Sequence, residues 1–126
     1  MSPTQPEAVL RNAIMDLLRF WQVKAWIHDS VGIFDPIRKI YRSRKGKHSV
    51  KGLPDIHGII PGGRFFAIEV KNPPHKSAAG KWVRSYPSPE QRQQIEEINA
   101  AGGLAFVARS LKDLEERKYE FGVGRV

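Results

Sequence analysis

The stretch from Asp55 to Lys71 constrains the fold more than any other part of the chain. Ile56, Ile60, Phe66, Ile68 and Val70 are apolar, and Pro61-Gly62-Gly63 interrupts the run with turn residues. Apolar residues recurring with period two mark strands that bury one face, so a hairpin is predicted here. A three-residue turn over Pro61 to Gly63, with glycine available for the left-handed position, pairs Ile60 with Arg64 and so sets Asp55 opposite Glu69. Successive strand residues project to opposite faces. Asp55, Glu69 and Lys71 then share one face, and the apolar set forms the other. A two-residue Gly62-Gly63 turn would set Asp55 opposite Val70, on the wrong face for Glu69, so the longer turn is adopted.

Two carboxylates on facing strands can share one divalent cation. Magnesium prefers octahedral oxygen coordination and takes one or two carboxylates from protein, leaving the other positions to water and substrate. A cation held by Asp55 and Glu69 would polarise a substrate oxygen and lower the pKa of a coordinated water. Lys71 beside it could orient the nucleophile or stabilise developing negative charge. The ordinary alternative is a solvated Glu-x-Lys strand end, since polar alternation is common on strands. The preceding Gly52-Leu53-Pro54-Asp55 and the matching register tip the balance toward a site. His57 shares the site face, nearer the turn, as a substrate contact or a surface residue. His28, His48 and His75 do not form a zinc-spaced set.

Four segments in order, Lys51-Gly52-Leu53-Pro54-Asp55, Ala67-Ile68-Glu69-Val70-Lys71, Ser88-Pro89-Glu90-Gln91 and Ala100 through Val107, resemble the PD-(D/E)xK nucleases. More specifically they resemble the virus-type replication-repair nuclease domain, VRR-NUC. The resemblance covers nearly the whole chain and implies a single domain over residues 1–126 with a restriction-endonuclease-like α/β fold, a mixed sheet flanked by helices. It further implies a Mg2+- or Mn2+-dependent endodeoxyribonuclease. By the same resemblance Asp55, Glu69 and the backbone carbonyl of Val70 are metal ligands. Lys71 and Gln91 are catalytic, and the early helical Glu7 joins the site, directly or through water. Each of two of these residues has a structural alternative. Glu7 stands three after Thr4 and Gln91 three after Ser88, so each can complete a helix-capping box. Gln94 is the substitute for Gln91 on an adjacent face.

Similarity to standalone VRR-NUC domains of phage and bacteria implies cleavage of four-way DNA junctions by a symmetric homodimer, in repair or recombination. The alternatives are a flap, nick or single-strand nuclease of the same chemistry, or a non-catalytic DNA-binding module. Two matched incisions call for two sites related by a two-fold axis, which an isologous dimer supplies. Trp26, Ile33, Phe34 and Phe121 are the interface candidates, each with packing inside the monomer as its alternative.

Charge agrees with an anionic partner. The 126 residues carry 21 Lys and Arg against 13 Asp and Glu, a formal net charge of +8, and phosphate neutralisation is the main source of nonspecific nucleic-acid affinity. Arg38, Lys39, Arg42, Arg44, Lys45, Lys47 and Lys51 form an acid-free segment with Tyr41 interleaved, leading directly into Asp55. Its alternative is a solvated loop. Lys76, Lys81 and Arg84 lie in a long proline-bounded segment, Asn72 to Pro87, that could clamp nucleic acid. The chain has no cysteine, which excludes disulfides and cysteine-zinc sites. It has no apolar run of membrane-spanning length and no secretory-signal layout, so a soluble, cytoplasmic protein of a bacterial cell or phage-infected host is expected.

The remaining elements follow from spacing and punctuation. Thr4-Gln5-Pro6-Glu7 opens a helix to about Phe20, with Leu10, Ile14, Leu17, Leu18 and Trp21 at helical spacing. Val23, Ala25 and Ile27 alternate with polar or exposed positions as a strand. Ser88 starts a second helix, which Gly102-Gly103 ends. Leu104 to Ala108 is a short apolar strand, and Ser110 caps a last helix through about Lys118.

Overall fold

The computed structural model describes residues 6–28, 33–37, 40–42 and 48–124. The first helix, α1 (Pro6–Phe20), buries Ile14 and Leu18. It stops where Gln22 adopts a left-handed backbone (φ 61°) and the Val23 N–H returns to the Leu18 carbonyl. Strand β1 (Lys24–Ile27) follows, then a small hairpin of β2 (Ile33–Asp35) and β3 (Ile40–Arg42).

The central hairpin has the register expected from its turn. Strands β4 (Ile56–Ile60) and β5 (Arg64–Val70) are antiparallel, with Ile60 opposite Arg64 and Ile56 opposite Ile68. The Gly63 N–H closes the turn onto the Ile60 carbonyl. After a second small hairpin, β6 (His75–Lys76) and β7 (Trp82–Val83), come α2 (Pro89–Ala100), β8 (Leu104–Ala108), α3 (Leu111–Glu115) and a 3-10 turn at Lys118–Phe121. The main sheet runs β1-β4-β5-β8. Its β1–β4 and β4–β5 pairs are antiparallel and its β5–β8 pair is parallel. The fold is therefore mixed α/β, a mixed sheet flanked by helices.

Parity decides which face each helix covers. Ile56, Ile60, Phe66, Ile68, Val70, Leu104, Phe106 and Ala108 face a core completed by Ile14, Leu18, Leu114 and Phe121. At its centre Phe121 meets Phe66 at 5.0 Å and Trp21 at 5.8 Å. Phe121 is 1% exposed, which corrects its candidacy as an interface residue: its ring fills the gap between sheet and helices. Trp26 keeps 39% of its surface exposed. Helix α2 lies over the other face, held at its C-terminal end by Asn99, whose amide bonds both the N–H and the carbonyl of Ala105.

Gly58 lies where no side chain fits, because an added Cβ would stand 2.3 Å from the Lys24 carbonyl oxygen and from the Phe66 ring. Gly58→Ala is expected to destabilise by about 3 kcal/mol or more through overpacking, read as a lowered urea midpoint.

Both small hairpins fall where spacing predicted loops. Strands of two or three residues are too short to display a period. Arg38, Lys39, Arg44, Lys45 and Lys47 lie outside the described residues, as does Thr4 of the expected capping box, while Arg42 ends β3. Among the described residues no helix is long and apolar enough to cross a membrane.

Candidate active site

Asp55 is the residue just before β4, and it is bound from both sides. Its backbone carbonyl accepts from the His28 N–H at 2.7 Å, and its side-chain Oδ2 accepts from the Val70 N–H at 3.0 Å. The carboxylate is thereby tied to the end of β5, next to Glu69. Val70 thus takes part through its N–H, and its side chain faces the core. Lys71 prolongs the ladder by donating its backbone N–H to Ala108.

Glu69 is 1% exposed, because α2 covers the face from which it projects. Its Oε1 accepts from Gln91 Nε2 at 2.9 Å and lies 3.6 Å from the Lys71 ammonium. Its Oε2 is buried and has no hydrogen-bond partner. Burial pushes the Glu69 carboxyl up to about 8, and the neighbouring Asp55 carboxylate adds to the rise against the opposing pull of Lys71. Two acids are thus held together with too little positive charge between them.

Gln91 performs both roles that its position suggested. Its Oε1 accepts from the Ser88 N–H while its own N–H donates to Ser88 Oγ, a complete capping box. Its remaining amide hydrogens are free to reach Glu69. Gly52 brings the two segments together. Its φ is +81°, and a Cβ there would stand 2.6 to 2.8 Å from backbone atoms of Glu90 and Gln91, so glycine permits the close approach of the Asp55 segment to the start of α2.

His57 differs from expectation. It is 8% exposed, not a surface residue, and stacks on His28 with ring centroids 4.6 Å apart. Burial and the His28 ring lower its pKa, so it stands neutral at pH 7. Trp26 and Phe65 pack edge-on against it at 6.5 and 5.4 Å. Its buried setting arises from strand pairing, since Trp26 lies opposite His57 across β1 and β4.

Glu7 lines a separate cleft with Ala8, Arg11 and Asn72. Among the described residues no group of three or more His, Cys, Asp or Glu side chains could hold a metal ion, so the available carboxylates are the Asp55 and Glu69 pair. Lys51, Lys76 and Lys81 are exposed, with the Lys76 ammonium 5.6 Å over the Trp82 ring. Arg11 and Asn72 carried no motif in the sequence. The signal available was positional: Arg11 is one turn beyond Glu7, and Asn72 directly follows Lys71.

The pair meets the requirements of a divalent-cation site. A cation would supply the missing positive charge, take up the unpartnered Glu69 oxygen and require no more than two protein carboxylates.

A curated protein of Delftia acidovorans named peptidyl-tRNA hydrolase is 31% identical to this chain over 88 residues, covering 64% of the chain and 42% of that protein. The chain thus spans less than half the length of the curated relative it matches. No protein-family model and no solved structure matches the chain. The relative's name corrects the expectation of a DNA endonuclease resolving four-way junctions. The correction extends to the flap, nick and single-strand alternatives, the DNA-binding module, and the roles in repair and recombination. Physically, two carboxylates and a lysine specify how water is activated and leave the polymer unspecified.

Proposed function

We propose that the chain is a cation-assisted hydrolase of a nucleic-acid-linked ester, with the reacting centre at Asp55, Glu69, Lys71 and Gln91. The observation that carries this reading is the buried, charge-starved Glu69, raised to about 8 beside Asp55 with one oxygen unpartnered. Strongly perturbed carboxylates held next to a lysine are characteristic of working sites. The name of the Delftia acidovorans relative supports ester hydrolysis on RNA, and the net charge of +8 supports an anionic substrate.

Asp55 and Glu69 would hold Mg2+ or Mn2+. When bound, the cation polarises the electrophilic oxygen and makes water a better nucleophile. Lys71 keeps its ammonium against Glu69 and stabilises negative charge on the oxygen of the substrate as water adds. Gln91 holds Glu69 in one orientation, so that the free Oε2 is presented toward Asp55. The same arrangement supports the finer structural proposal of a PD-(D/E)xK framework of the VRR-NUC type. Homodimerisation is proposed alongside it, on the exposed Trp26, and light scattering with gel filtration should report twice the chain mass.

The test offers N-acetyl-phenylalanyl-tRNA and bis(4-nitrophenyl) phosphate to the purified protein with Mg2+ or with chelator. Hydrolysis that requires the cation and disappears in Glu69→Gln supports the reading, and the two substrates report whether carbon or phosphorus is attacked. Hydrolysis indifferent to both changes would reject it. Gly52→Ala is expected to lower the rate by about a hundredfold, because the added methyl pushes the start of α2 and Gln91 away from Glu69, and ångström-scale misplacement costs that much. Steady-state rates on whichever substrate turns over provide the check.

A further inference from the structure

Arg11 and Asn72 face a cleft of about 390 Å³ whose other walls are Glu7 and Ala8. Two polar atoms of this wall are buried without a partner, the Arg11 Nε donor and the Asn72 Oδ1 acceptor. Arg11 forms no ion pair among the described residues, although Glu7 lies one helical turn before it on α1. A buried, unpaired polar group costs about 1 to 3 kcal/mol, so the cleft holds binding capacity that the folded chain itself leaves unused.

Positive charge converges on this place. Asn72 directly follows Lys71, and its backbone carbonyl accepts from Arg109 Nη1 at 3.3 Å. Arg109 in turn lies 5.7 Å from the centre of the Tyr86 ring. Two guanidiniums and the ammonium of Lys71 therefore surround the C-terminal end of β5. A guanidinium presents its N–H groups in a planar fork that fits phosphate oxygens.

We propose that this cleft seats a phosphate group of the substrate, gripped by Arg11 with the Asn72 amide beside it. This assignment rests on the hydrolase reading and extends it, because a phosphate anchored here lies within one residue of Lys71 and fixes the substrate relative to the carboxylate pair. Glu7 opposes the anion from the same cleft, which gives the proposal a second sign to check.

Adenosine 5′-monophosphate is the probe, with adenosine as its control, titrated calorimetrically in chelator at low salt. The nucleotide should bind and adenosine should not. Arg11→Gln should weaken binding by about tenfold or more, the loss expected for a charge-assisted hydrogen bond. Arg11→Lys should weaken it less, and Glu7→Gln should tighten it by removing a like charge. Thermal melts identify any variant that fails to fold, and Arg11→Lys then stands in for Arg11→Gln. Wild-type affinity in Arg11→Gln, equal binding of adenosine, or no nucleotide binding up to about 10 mM would each overturn the assignment. Because the titration needs neither cation nor turnover, a blank hydrolysis assay would reject the hydrolase reading and leave the binding result standing.

Discussion

Glu69→Gln is expected to make the cation-free protein more stable above neutral pH while reducing cation-dependent hydrolysis by at least about a hundredfold, the scale of several kcal/mol that a Lewis-acid site supplies. The two effects have one cause. Glu69 is held under α2 with a pKa near 8, so at higher pH the fold must accommodate a buried negative charge next to Asp55. Glutamine has the same shape, still accepts from Gln91 and carries no charge. At pH 9 the gain should reach at most about 5 kcal/mol, since each unit of displacement from 4.5 is worth about 1.4 kcal/mol. Chemical denaturation in chelator measures the first effect and initial rates with Mg2+ the second. A variant both less stable at pH 9 and fully active would show that Glu69 is a passive core residue.

The wild-type protein should show the matching pH dependence. An acid whose pKa is raised on folding binds its proton more tightly in the folded state than in the unfolded one. The stabilisation from Glu69 is therefore complete below about pH 4.5, is lost as pH rises toward 8, and changes no further beyond it. Divalent cation should reverse the trend, because it favours the ionised carboxylate and binds the folded state more tightly as Glu69 deprotonates. Urea midpoints of wild type and Glu69→Gln, measured side by side in chelator and in Mg2+, separate the contribution of Glu69 from that of the other acids. Curves for the two proteins that stay parallel from about pH 5 to 8 in chelator would contradict the assignment.

Much of the framework was legible before any coordinates. Apolar parity and a Pro-Gly-Gly turn are local signals, and the hairpin formed in the expected register with Ile60 opposite Arg64. Helix α1 spans Pro6–Phe20 as its apolar spacing predicted, and Ser88 with Gln91 formed the capping box that four consecutive residues encode. The two small hairpins escaped notice because their strands are shorter than one readable period. Substrate was legible in neither source. The nuclease expectation came from resemblance, and the name of a relative that the chain only partly spans corrected it.

The sequence by itself determined that Asp55, Glu69 and Lys71 would share a face, because strand parity depends on near neighbours and a turn. Tertiary structure alone decided what those residues became. Helix α2, brought over that face by the tight passage of Gly52 and the double bond from Asn99 to Ala105, buried Glu69 and set Gln91 upon it. Pairing of β1 with β4 turned His57 inward onto His28, and the docking of α1 against the end of β5 opened the cleft of Arg11 and Asn72. Burial and electrostatics sum over everything that surrounds a group, and here most of those surroundings come from parts of the chain far away in sequence.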